Sequence, residues 1–177
     1  MRSVIAQLHR EQICGDIPEF NFVSLNGMEM RYPYDAYVKF WEVVSEQNEK
    51  RSPGVAAAEL ERHFGGKTSM DGPNDSKRPV TVLLLDELDY LVTKKQTVLY
   101  NFFDWPRRGD ESDNGPRLIV VGISNTINLP ERLKPSVRSR LGGVSLLFKA
   151  YSTAETKNVI KKRLEPMSDV SRTVYLL

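Results

Sequence analysis

Residues 80–91 read VTVLLLDELDYL, six apolar or β-branched residues in a row followed by acid at Asp86, Glu87 and Asp89. A run that short, with no polar alternation, suits a strand buried on both faces, as in a parallel sheet with helices on each side. Ligands of such sheets bind just beyond the carboxyl ends of the strands, which is where Asp86 and Glu87 fall. An acid at a strand end also serves simply to cap the next turn. The pattern alone leaves both readings open.

The rest of the chain supplies helices and further strands. Residues 3–12 have amphipathic spacing through Val4, Ile5 and Leu8, and residues 20–25 alternate as a strand closed by a turn at Asn26-Gly27. Residues 34–50 are helical in pattern, with Tyr37, Val38, Trp41 and Val44 on one stripe, and residues 55–64 form a second helix after Pro53-Gly54. The aromatics Tyr37, Phe40 and Trp41 read as core packing rather than a stacking platform for bases. Beyond the acidic strand end, residues 94–104 are helical and stop at Trp105-Pro106, so that residues 107–116 read as a surface loop. A second buried strand is expected over 118–123, helix over 129–140, a last strand over 144–148 and a last amphipathic helix over 153–164. Strand and helix alternate, which makes the chain α/β with a mainly parallel sheet.

Composition narrows the class of function. With 25 basic and 23 acidic residues the net charge is +2, which gives no general electrostatic argument for nucleic acid. The single cysteine, Cys14, excludes an internal disulfide and fits a reducing compartment. His9 and His63 are far apart and lack cysteine partners, so a zinc site is not expected. No apolar run is long enough to span a bilayer, and residues 1–12 lack the features of a secretory signal.

Chemistry converges on a few side chains. The strand end at Asp86-Glu87 resembles a Walker B motif, in which the first acid helps hold Mg²⁺ on nucleotide phosphates and the second polarises the attacking water. Asn125, at the tip of an adjacent strand, has the groups to bond that water or a γ-phosphate oxygen, and reads equally well as a turn or cap residue in Ser-Asn-Thr. Arg140 closes PSVRSRLG and reads either as a surface arginine near a helix end or as a group reaching a neighbour's nucleotide. The sequence GGKTS mimics the end of a phosphate loop, but Glu61 stands where the first glycine of G-x-x-x-x-G-K-[ST] belongs, and a helix rather than a strand precedes it. It reads as linker. The pairs Lys94-Lys95 and Arg107-Arg108, and the run Lys161-Lys162-Arg163, read as solvated faces.

Taken together, four stretches resemble the family of largest subunits of the eukaryotic origin recognition complex, which are AAA+ initiator ATPases. They are FVSLNGMEM (22–30), LLLDELDYLVTKKQTVLYNFFDWP (83–106), VVGISNTINLPERL (120–133) and VRSRLG (137–142). The resemblance runs from residue 20 to about 164, and its nearest competitor is the related licensing factor that loads the replicative helicase. It implies Walker B roles for Asp86, with Mg²⁺, and for Glu87. It gives Asn125 the sensor role and makes Arg140 the arginine facing a neighbouring subunit. It also implies ATP as cofactor, double-stranded origin DNA, the other subunits of the complex and the helicase-loading factor as partners, and a nuclear location. The helix over 34–50 falls where such initiators carry an inserted DNA-contacting element.

The chain departs from the family at both ends. The Walker A loop belongs before residues 1–12, and the pattern is lost after about residue 164, before the sensor arginine of the lid. The expectation is therefore a partial AAA+ three-layer sandwich whose first, central strand is missing, with residues 1–150 as nucleotide-binding core and 151–177 as the start of a truncated helical lid. Such a piece is expected to bind ATP weakly on its own. The rival expectations are a catalytically dead AAA+ interaction module and a truncated product without function.

Overall fold

The computed structural model of the chain describes residues 2–45, 51–65, 79–110, 117–142 and 145–174. The segment holding GKTS, residues 66–69, lies outside them, as does Val144. The chain divides into two compact units, Met1–Gly143 and Val144–Leu177.

The first unit is built on three parallel strands, β1 (Phe20–Asn26), β2 (Val80–Asp86) and β3 (Leu118–Gly122), in the order β1-β2-β3. Helix α1 (Arg2–Cys14) precedes β1. Helices α2 (Asp35–Ser45) and α3 (Pro53–Phe64) connect β1 to β2, and α4 (Thr97–Asp110) connects β2 to β3. Helix α3 starts where local chemistry dictates, with Pro53 in its first turn and the Ser52 hydroxyl accepting from the Val55 N–H.

Register decides which side chains share a face. Val23 pairs with Leu83 and Leu83 with Val120, while Leu25, Leu85 and Gly122 form the next row. Val23, Leu25, Leu83 and Leu85 are buried and pack against α2, α3 and α4 around Tyr37, Phe40, Phe64, Phe102 and Trp105. Phe40 and Phe64 stack at 5.5 Å, and Trp105 meets Phe102 edge-on at 5.4 Å. Truncating any one of these rings costs about 3–5 kcal/mol, so this cluster is the main source of fold stability. The opposite face takes α1 at one side, where His9 stacks on Phe20 at 5.0 Å.

The apolar run behaves as expected in β2, where Leu83, Leu84 and Leu85 are all buried and so both faces are covered. Strand β3 does not. Leu118 is buried, but Ile119 and Val121, on the other face, are exposed (51% and 36%).

Four other expectations are corrected. Helix α4 runs through Pro106 to Asp110 instead of stopping at Trp105-Pro106. An internal proline costs about 3 kcal/mol, and here that is offset on the last turn by Arg108, which is gripped by Glu61 of α3 and paired with Asp104 four residues back in the same helix. The helix expected over 129–140 is two short pieces, α5 (Leu129–Arg132) and α6 (Pro135–Arg138). The residue before a proline avoids helical geometry, and Lys134 sits at φ −58, ψ 147 before Pro135.

Of the last strand expected over 144–148, the described residues 145–148 do not form one. Residues 145–150 are neither helix nor strand. A strand exists only through pairing, which apolar composition by itself does not supply. In the second unit, α7 (Thr153–Val174) runs beyond its expected end at residue 164. It begins with a reciprocal cap in which Glu155 accepts from the Ser152 N–H (2.8 Å) and hydroxyl (2.7 Å), bonds that hold its carboxyl below the usual range.

Candidate active site

The carboxyl end of β2 turns abruptly. Asp86 is the last strand residue, in register with Asn26 of β1, and its Oδ1 accepts the Glu87 N–H at 3.0 Å. Glu87 then adopts a left-handed conformation (φ 53, ψ 48), which costs a non-glycine residue about 1 kcal/mol. A 3-10 turn, Leu88–Leu91, follows, with Leu88 and Leu91 buried as anchors. Two further bonds extend the β2–β3 ladder past the strands, Ile123 N–H to Leu85 O (2.8 Å) and Leu88 N–H to Ile123 O (2.9 Å). They bring the Ser124-Asn125-Thr126 turn beside Glu87.

The outcome is a clasp. Asn125 Nδ2 donates to both carboxylate oxygens of Glu87, at 2.9 and 3.0 Å. Asp89, one turn further on, holds the same loop from below. Its Oδ2 accepts the Ser124 hydroxyl (2.9 Å) and the Asn125 N–H (3.0 Å). Burial pushes the Asp89 carboxyl up, but bonds from Thr126, Ser124 and the Asn125 backbone outweigh it and hold the group below its ordinary value. So Asp89 is anionic and fixed near neutral pH, and Glu87 and Asn125 are presented together.

Arg140 lies in a separate cluster. Its Nε donates to Asp104 Oδ1 at 2.5 Å, its Nη1 to Ser136 O at 2.8 Å, and its guanidinium lies 4.3 Å from the centre of the Tyr100 ring. Asp104 also pairs with Arg108 Nε at 2.7 Å. Arg108 in turn donates to both oxygens of Glu61, which also accepts the Trp105 indole N–H. Arg108 is therefore a structural ion-pair residue and not part of a solvated face. These side chains border a cleft of about 550 Å³ between α4 and Arg140.

Asp86, Glu87 and Asn125 are thus brought together, while Arg140 shares no partner with them. Three contributors escaped the sequence reading. Asp89 was visible as the third acid of DELD, but its role depends on the hydroxyls of Ser124 and Thr126. Gly27, read only as a turn residue, packs directly against the Glu87 carbonyl. Buried Gln96 donates to Arg132 O (3.1 Å) and accepts the Lys134 N–H (2.7 Å), fastening the segment that leads to Arg140.

A parallel sheet with adjacent acids and an asparagine bonded to one of them at its carboxyl edge agrees with comparison to known proteins. The family model described as "AAA: ATPase family associated with various cellular activities" matches residues 2–147. The chain belongs to the AAA family.

Within that family, this AAA chain is 37% identical over 178 residues to origin recognition complex subunit 1 of Debaryomyces hansenii, covering 100% of this chain and 20% of that protein. A solved structure of Drosophila ORC bound to DNA matches 80% of the AAA chain and 36% of its own, at 34% identity and TM-score 0.61. The Aeropyrum pernix ORC1 protein in complex with DNA matches 93% of this chain and 39% of its own with TM-score 0.67, a likeness of fold at 23% identity. The resemblance to largest origin recognition subunits therefore extends along the chain, which spans about a fifth of the length of the curated relative.

Proposed function

We propose that this chain is the nucleotide-handling core of an origin recognition complex largest subunit, acting in DNA replication licensing. In this reading Asp86 holds Mg²⁺, Glu87 polarises the attacking water, and Asn125 orients that water or a γ-phosphate oxygen. Arg140 serves the nucleotide of a neighbouring subunit. Residues 1–150 carry the core and 151–177 open the helical lid. The partners are the other subunits, double-stranded origin DNA and the helicase-loading licensing factor, and the compartment is the nucleus.

The observation that carries this reading is the two-oxygen clasp of Glu87 by Asn125 at the carboxyl edge of the sheet. It is supported by the donor chemistry of Asp86. One of its carboxylate oxygens accepts the Glu87 N–H, and the other has no partner among the described residues, as suits a hard-oxygen ligand for Mg²⁺. Bound Mg-ATP supplies the phosphoryl group and the cation that neutralises charge developing on it. The protein side chains then fix the geometry and hold the water's proton.

The test is Glu87→Gln in the full-length chain assembled with its partner subunits. ATP binding and ATP-dependent retention of duplex DNA are expected to persist while hydrolysis at this subunit falls about 100-fold. Unchanged hydrolysis overturns the assignment. A complex that assembles and never binds nucleotide at this subunit points instead to a catalytically dead interaction module.

A further inference from the structure

The cluster around Arg140 contains more than an arginine at a helix end. A guanidinium has five N–H donors. Two are used, one on Nε by Asp104 and one on Nη1 by Ser136 O, which leaves three without a partner among the described residues. The side chain is nevertheless held at three points, because its plane also rests on Tyr100 at 4.3 Å. Asp104 is itself immobilised, 12% exposed, with its second oxygen on Arg108, and Arg108 is clamped by Glu61. The chain of contacts Arg140–Asp104–Arg108–Glu61 therefore ties one guanidinium to both α4 and α3.

Arginine–carboxylate pairs are frequently bidentate, with two parallel N–H bonds to both carboxylate oxygens. Asp104 instead takes Nε with one oxygen and spends the other on Arg108. The Nη2 amino group is left open, and Arg140 lines the 550 Å³ cleft. Gln96, the residue before α4, bonds Arg132 O and the Lys134 N–H and so fixes the backbone leading into α6.

We propose that Asp104 and Tyr100 are positioning residues that preset the rotamer of Arg140, so that its open Nη edge meets the phosphates of a nucleotide held by the neighbouring subunit. This rests on the trans role given to Arg140 above. A long flexible cation ordered before the reaction loses no freedom as phosphate charge develops, and that advantage appears in turnover rather than in substrate binding.

The experiment is a mutant cycle in the full-length complex, reading kcat and KM for ATP hydrolysis at the interface that receives Arg140. Arg140→Ala should lower kcat, and Asp104→Asn should lower it about 10- to 100-fold with KM little changed. In the Arg140→Ala background, Asp104→Asn should do nothing further. Tyr100→Leu, which removes the ring under the guanidinium at a half-buried site, should reproduce the kcat effect and guards against a folding defect in Asp104→Asn. Equal losses from Asp104→Asn with and without Arg140 overturn the positioning role, as does wild-type kcat in both Asp104→Asn and Tyr100→Leu. If Arg140→Ala leaves kcat unchanged, the trans role fails first and the positioning role falls with it.

Discussion

A methyl group placed on Gly27 would lie 2.4 Å from the carbonyl oxygen of Glu87 and 3.2 Å from Cβ of Tyr90. The end of β1 thus presses on the strained peptide that aims the candidate water-polarising acid. Glycine is needed here for close approach, since only a residue without Cβ lets the 3-10 turn Gly27–Glu29 reach the turn after β2. Gly27→Ala is expected to cost about 1–3 kcal/mol through overpacking and to shift Glu87 away from Asn125. Urea denaturation gives the first number, and hydrolysis by the assembled complex gives the second. Wild-type values in both would mean that the turn yields freely and does not aim Glu87.

The depressed pKa of Asp89 has a definite sign in stability. A carboxyl whose folded pKa lies below its unfolded value of about 3.9 stabilises the fold above that pH, and the contribution is lost as pH falls through the folded value. Asp89→Asn should therefore lower stability at pH 7 by roughly 1–2 kcal/mol, because charge-assisted bonds to Ser124 and Asn125 are weakened. The difference from wild type should shrink as the solution is acidified below about pH 4. Denaturation of the full-length protein at pH 7 and again near pH 3 checks this, and a pH-independent difference would show that packing rather than charge explains the loss.

How much of this was legible depends on whether a signal is local. The β2 run and its acids announced a buried parallel strand with chemistry at its end, and the helical stripes of α2 and α3 followed from spacing alone. What failed required partners. Residues 144–148 have the composition of a strand, but composition supplies no neighbour to pair with. Pro106 is a sound stop signal until Arg108, two residues later, is anchored by Glu61 of α3 from outside the helix and by Asp104 one turn back within it. In the site, Asp86, Glu87 and Asn125 could be named because each lies at or just beyond the carboxyl end of a strand. Asp89, Asp104 and Gln96 act across 35 to 38 residues of sequence, through bonds that only the folded chain creates.

The division of labour between Asp89 and Asn125 yields a sharper expectation. Asp89 holds the backbone N–H of Asn125 and the hydroxyl of Ser124, so the loop keeps its place without the Asn125 side chain. The Asn125 side chain is exposed and, among the described residues, bonds only to Glu87. Asn125→Ala should change folding stability by less than about 1 kcal/mol, since an exposed pair regains water on both sides. It should lower hydrolysis by the complex about 10- to 100-fold, because Glu87 loses the group that fixes both its oxygens. Thermal melting and steady-state hydrolysis on the same preparation separate the two effects. A large drop in melting temperature with proportionate loss of activity would make Asn125 a structural cap of its turn, the reading its Ser-Asn-Thr setting also allows.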